Sequence, residues 1–158
     1  MVVKSAEVSD SAMLQREDLV LRNFHTCPYI YRCFDDVIMP AKAKTLADLI
    51  SKNDGRGFPE SDVRRYTRHI LEGLDCVHSS GYVHRALKPE NIIIAPVSLS
   101  TRTETNYVAK NGDFGLANTK KQMMTTSKSY KLRGNIRYLS PKTVVDRGLQ
   151  QETPSSNV

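Results

Sequence analysis

Apolar positions along this chain recur at helical spacing in two long stretches and cluster in strand-like runs elsewhere. Between about 11 and 24, Leu14, Glu17, Leu21 and Phe24 fall on one face, which predicts a helix. From 59 to 79, Val63, Tyr66, Ile70, Leu74 and Val77 form a single apolar stripe, the strongest helix signal in the sequence. Pro59 suits a first helical position, Glu60 and Asp62 place negative charge on the positive end, and Ser79-Ser80-Gly81 closes it. A shorter helix is expected over 45–51, stopped by Asn53-Asp54-Gly55. Residues 29–39 are aromatic and β-branched and read as a strand interrupted at Asp35-Asp36 and ended by Pro40. Residues 1–8 read as the end of another strand. Ile92-Ile93-Ile94 and Asn106-Tyr107-Val108-Ala109 read as two short strands joined by a polar loop. After Asp113 the chain is polar and without periodicity, and the tail from Gln150 is expected to be disordered.

Composition narrows the class without naming it. The 158 residues suffice for one ordinary domain or part of a larger one, and 39% hydrophobic with 25% charged residues suits a soluble globular chain with a thin core. The apolar runs are far shorter than the ~20 residues of a membrane-spanning helix. Charges stand where a secretory signal needs its apolar stretch, so an intracellular location, in the cytoplasm or nucleus, is expected. Cys27, Cys33 and Cys76 lack metal-ligand spacing and are expected to pack as small apolar side chains in a reducing compartment. His25, His69, His78 and His84 form no zinc signature. The net charge of +6 could attract nucleic acid, but the basic residues are dispersed and lack aromatic stacking partners. Arg64-Arg65, Arg68 and Lys120-Lys121 read as solvated faces.

Chemistry concentrates in His84-Arg85-Ala86-Leu87-Lys88-Pro89-Glu90-Asn91, followed by Gly112-Asp113-Phe114-Gly115-Leu116-Ala117. Together these resemble the catalytic loop and the magnesium-binding motif of protein kinases. Their order agrees with that family: a helix ending in His78-Ser79-Ser80-Gly81-Tyr82-Val83 precedes the loop, and two short strands separate it from Asp113. Val3-Lys4-Ser5-Ala6-Glu7 and the run from Arg68 to Asp75 are most similar to plant kinases of the MAP kinase kinase kinase group.

The resemblance implies an α+β fold: an incomplete N-terminal sheet lobe (1–44) and the first part of a helical C-terminal lobe (45–146), with a polar tail (147–158). It also implies ATP and Mg2+ as cofactors. Phosphoryl transfer requires charge neutralised on the triphosphate and a nucleophile held in line. By resemblance Lys4 contacts the phosphates and Glu17 holds Lys4. Asp113 and Asn91 supply hard oxygen ligands to magnesium, Lys88 neutralises the γ-phosphate, and Ile93 lies against the nucleotide. Arg85 receives a phosphorylated residue of the activation segment, with Thr125, Thr126, Ser127 and Ser129 as candidates. His84, Phe114 and Leu21 form a packed column between the lobes, with His84 structural rather than catalytic.

Four departures from the family pattern bear on activity. Ala86 stands where the family has the aspartate that orients the substrate hydroxyl and accepts its proton. No glycine-rich phosphate loop precedes Lys4, and Val2 replaces a small residue beside the adenine. The stretch between Phe34 and Leu46 is short for two strands and an adenine-binding hinge. Ser140-Pro141-Lys142 replaces the usual Ala-Pro-Glu, and the large helices that cover the 59–79 stripe do not follow. Three readings compete: a serine/threonine kinase, a non-catalytic pseudokinase module that binds kinases or their substrates in a signalling cascade, and a truncated product without function. Weak or no ATP binding is expected, as is partial exposure of the 59–79 stripe.

Overall fold

The computed structural model describes residues 12–31, 44–97, 106–125, 136–138 and 141. Helix α1 (Ala12–Leu21) runs into a 3-10 turn, Arg22–Phe24. Glu17, Val20 and Phe24 are buried along its inner face, and an Arg22–Asp18 ion pair lies on the outer one. Asn23 Nδ2 donates to the carbonyls of Leu19 and Val20, which the helix end would otherwise leave without partners. Strand β1 (Lys44–Thr45) leads into α2 (Leu46–Lys52), whose first turn is closed by a reciprocal pair: Asp48 N–H donates to Thr45 Oγ1, and Thr45 N–H donates to the Asp48 carboxylate.

Helix α3 (Glu60–Ser79) is the longest element and follows the predicted range closely. Pro59 is its N-cap, with extended ψ of 136°, rather than its first helical residue. The stripe is graded: Val77 is fully buried, Tyr66, Ile70 and Leu74 are half-buried, and Val63 faces solvent, as does Leu71 beside the stripe. Arg65 does not belong to a solvated face as expected. It is half-buried, bonded to Asp62 and laid over the Tyr66 ring.

The predicted strand pair is present as β3 (Ile92–Val97) and β4 (Asn106–Asn111), antiparallel from Ile92↔Asn111 to Val97↔Asn106. With β1 they form a sheet in the order β1-β3-β4. Two further short strands were not visible as patterns. β2 (Tyr82–Val83) and β5 (Asn118–Thr119) pair with each other, and α4 (Lys120–Thr125) follows directly. Thr119 and Gln122 exchange capping bonds at the start of α4. The stretch after Asp113 is therefore structured where it is described, and the polar sequence conceals this because the order comes from pairing and caps. Residues 29–31 form a turn and one bridge, Ile30 to Asn111, not a strand; residues 32–39 of the predicted strand lie outside the described residues, as do residues 1–8 and the tail.

Two clusters make the core. The first joins Val20, Phe24, Cys27, Ile30, Val77, Phe114 and Ala117, with Leu21, Tyr29, Cys76 and Tyr82 against it. The second joins Ile92, Ile94 and Ala109 to Leu46, Leu49, Tyr66, Ile70 and Tyr107. Cys27 and Cys76 pack as expected; burial, then a hydrogen bond with Cys27, pushes the Cys76 thiol up to about 11, which keeps it protonated and inert. Between the clusters α3 approaches β4 at Gly73. A Cβ there would meet the Asn111 side chain and stand 2.8 Å from the Tyr29 carbonyl oxygen. Asn111 is fully buried, and its Nδ2 donates to Ile70 O at 3.1 Å.

Candidate active site

The catalytic-loop segment begins where β2 delivers the chain to His84. Burial pushes this imidazole below its ordinary pKa, outweighing the opposite pull of the Gly112 carbonyl and the Asp113 charge. Its hydrogen bonds agree with a neutral ring. Ala86 N–H donates to Nδ1 at 3.2 Å, so the proton sits on Nε2, which donates to Gly112 O at 3.0 Å. His84 thus ties one loop to the other and has no nitrogen left for proton transfer, which agrees with the structural role expected for it.

Ala86 is held entirely by its backbone. Its carbonyl accepts from Asn91 Nδ2 at 2.8 Å, and its N–H is taken by His84. A 3-10 turn, Pro89–Asn91, follows Lys88, and Asn91 N–H donates to Lys88 O at 2.9 Å. Gly112 N–H donates to Asn91 O at 2.8 Å, which joins the catalytic loop to the segment carrying Asp113. A Cβ on Gly112 would stand 3.2 Å from Ile93 Cδ1, so glycine permits this close approach.

Arg85 and Asp113 both adopt left-handed backbone conformations, φ +66° and +61°. An arginine pays a steric penalty there, and such conformations persist only where the surroundings over-determine them. Around Asp113 those surroundings are identifiable. Phe114 N–H donates to Glu17 Oε1 at 3.1 Å, and Ala117 N–H closes a turn onto Phe114 O at 2.9 Å. The Phe114 ring is fully buried, 4.5 Å from the His84 ring and 5.4 Å from Phe24 between centroids. Leu21 packs half-buried against the same cluster, so His84, Phe114 and Leu21 share one packed region.

The structure thus brings Glu17, His84, Ala86, Asn91 and Asp113 together on two cross-linked loops and one helix. Arg85 and Lys88 lie half-buried on the same loop, and Ile93 is buried behind it. Lys4, and with it the expected Lys4–Glu17 pair, lies outside the described residues, as do Thr126, Ser127 and Ser129. Sequence reasoning missed Arg16, whose Nη2 donates to Ala117 O at 3.0 Å and also to Asn118 Oδ1. Nothing local could have revealed a contact across about a hundred residues.

Asn91 and Asp113 carry oxygen donors of the kind magnesium takes, while the described residues hold no cluster of three or more His, Cys, Asp or Glu side chains that could bind a metal ion. Asn91 spends its amide nitrogen on the Ala86 carbonyl, which orients the amide oxygen as an acceptor, and Asp113 adds a carboxylate from the adjoining strand end.

Comparison with known proteins shows the family. The protein kinase domain family matches residues 2–158. The chain belongs to the protein kinase family, and its fold is a partial α+β kinase fold. Over 158 aligned residues it is 31% identical to mitogen-activated protein kinase kinase kinase 20 of Arabidopsis thaliana, covering 91% of this chain and 44% of that protein. It is 36% identical over 131 residues to mitogen-activated protein kinase kinase kinase 17 of the same plant, covering 74% and 32%. CBL-interacting serine/threonine-protein kinase 9, also from Arabidopsis thaliana, is 30% identical over 120 residues, covering 70% and 25%. The chain spans less than half the length of these relatives. Kinases of this family use ATP and Mg2+.

Proposed function

We propose that this chain is a serine/threonine-kinase-type domain with phosphoryl transfer lost or strongly impaired, serving as a non-catalytic interaction module in a MAP kinase cascade inside the cell. The observation that carries this reading is Ala86, a methyl group at a position whose N–H and carbonyl are both bonded within the loop. A methyl group neither orients a hydroxyl nor takes its proton, and groups with that role contribute roughly 10²–10⁴-fold. Asn91 and Asp113 would hold Mg2+, and Lys88 would face the transferred phosphate. Bound Mg-ATP would supply the phosphoryl group and the cation that offsets its charge. The short segment between Phe34 and Leu46 weakens adenine binding, so nucleotide affinity is expected to be low. The relatives' names support a signalling cascade as the setting and protein kinases or their substrates as partners.

Transfer from γ-labelled ATP to a generic protein substrate tests this reading. The chain should not exceed its own Asp113→Ala variant. Ala86→Asp should not restore turnover either, because a carboxylate without a positioned triphosphate has nothing to deprotonate productively. Turnover by the unmodified chain that disappears in Asp113→Ala would overturn the proposal.

A further inference from the structure

We propose that Arg16 is a positioning residue: together with Glu17 it clamps residues 114–118 onto α1 and so holds Asp113 in its left-handed conformation. Two consecutive residues of one helix grip the two ends of one turn. Glu17 takes the N–H of Phe114 at the start, and Arg16 donates to the carbonyl of Ala117 and the side chain of Asn118 at the end. The turn between them is closed by its own Ala117 to Phe114 bond. Asp113 is the residue immediately before this turn, so its φ of +61° is set by where the turn is fixed.

The charges suit the contacts. A guanidinium donating to a carbonyl and a carboxylate accepting from an N–H are both charge-assisted, and such bonds are shorter and stronger than neutral ones. The grip also reaches the catalytic loop. Asn118 begins β5, which pairs with Val83 of β2, and β2 runs directly into His84. Arg16 therefore couples α1 to both loops of the site through three short links. Arg22, in the 3-10 turn after α1, pairs instead with Asp18 on the outer face. The proposal concerns the chain without nucleotide and does not depend on whether phosphoryl transfer occurs.

Amide hydrogen exchange by NMR on the full chain tests it. Arg16→Ala should accelerate exchange at Phe114 and Ala117 by about tenfold, a local opening, while amides of α3, β3 and β4 keep their rates. The Asp113 Cα and Cβ shifts, which report its φ, should move toward coil values. Arg22→Ala should change neither, and Arg16→Lys should restore part of the protection. Asn118→Ala removes one acceptor and leaves the arginine; it should give a smaller acceleration at the same amides, and the double variant should exchange more slowly than two independent losses imply. Equal behaviour of Arg16→Ala and Arg22→Ala at residues 113–117 would overturn the proposal. So would acceleration spread evenly through β3 and β4, which would mark Arg16 as a general stabiliser. If Arg16→Ala does not fold, unchanged exchange in Asn118→Ala would overturn it equally.

Discussion

The two core clusters differ in how they are assembled. The cluster around Ile92, Ile94 and Ala109 is built on a hairpin and the two helices that flank it, α2 and α3. Its elements are adjacent in sequence, each marked by a local apolar run or stripe. The cluster around Phe114 gathers α1, the turn after it, the end of α3 and the segment after Asp113, elements up to a hundred residues apart. It borders the site through Phe114, which follows Asp113 and packs on the His84 ring. The lesson is that the site borders the contacts of greatest sequence separation, where loop closure costs most and local sequence says least.

Removing Phe114 should break this comparison most sharply. Phe114→Ala empties a fully buried position and should cost about 3–5 kcal/mol. Denaturant unfolding followed by amide exchange should show the first cluster opening while β3–β4 amides stay protected. Simultaneous loss of both would mean that the clusters are one cooperative unit.

Gly73 lies at the seam between clusters. Alanine is the better helix former by ~1 kcal/mol, yet its Cβ would strike the Asn111 side chain and the Tyr29 carbonyl. Overpacking costs of ~1–3 kcal/mol should win, so Gly73→Ala should lower the denaturation midpoint. A raised midpoint would show that Asn111 swings aside freely.

Histidine titration distinguishes the two clusters by pH. Burial lowers the pKa of both His84 and His69, and each has an Nδ1 that accepts a backbone N–H, from Ala86 and from Ala109 respectively. The unfolded chain then binds more protons than the folded one below the ordinary value of about 6.5. The stabilisation is fully present above that pH and is lost as pH falls from there toward each folded pKa. His84, the more deeply buried, should give the steeper loss. His84→Gln should flatten the pH dependence of stability more than His69→Gln, measured by thermal unfolding between pH 7.5 and 5; the reverse order would place the sensitivity at the hairpin edge.

The smallest effect is expected at α2. Thr45→Ala removes the capping bond to Asp48 N–H and should cost ~1 kcal/mol. Exchange should rise in α2 and β1 and leave Phe114 and Ala117 unchanged.

What the sequence disclosed follows the same division. Helix α3 was legible because one face repeats at the helical period, α2 by its stop signal Asn53-Asp54-Gly55, and β3 by a continuous isoleucine run that the structure buries on both faces. The catalytic-loop residues were legible by resemblance, and the structure cross-links those loops through main-chain bonds. β2 and β5 were not, since two-residue strands have no period and exist only through each other. Arg65 was misassigned because its guanidinium lies over the Tyr66 ring, a contact that charge counting ignores. Asn111 offered no signal either; a polar residue at the end of a strand pattern gives no hint that it fits against a glycine on a helix.

The hydrogen bonds at Ala86 carry one more consequence. Both of them use the peptide N–H and carbonyl, so they are blind to which side chain the position bears. Substitution at 86 can therefore erase chemistry while leaving the loop's shape untouched, and residues of small or moderate size should be accepted there with nearly equal folding yield. A saturation library scored for soluble expression would be nearly flat at 86 for small and moderate residues, drop at proline, which has no N–H to give His84, and be steep at 84 and 91. In such a family, shape is inherited on a different schedule from activity, and the two can be lost in separate mutational events.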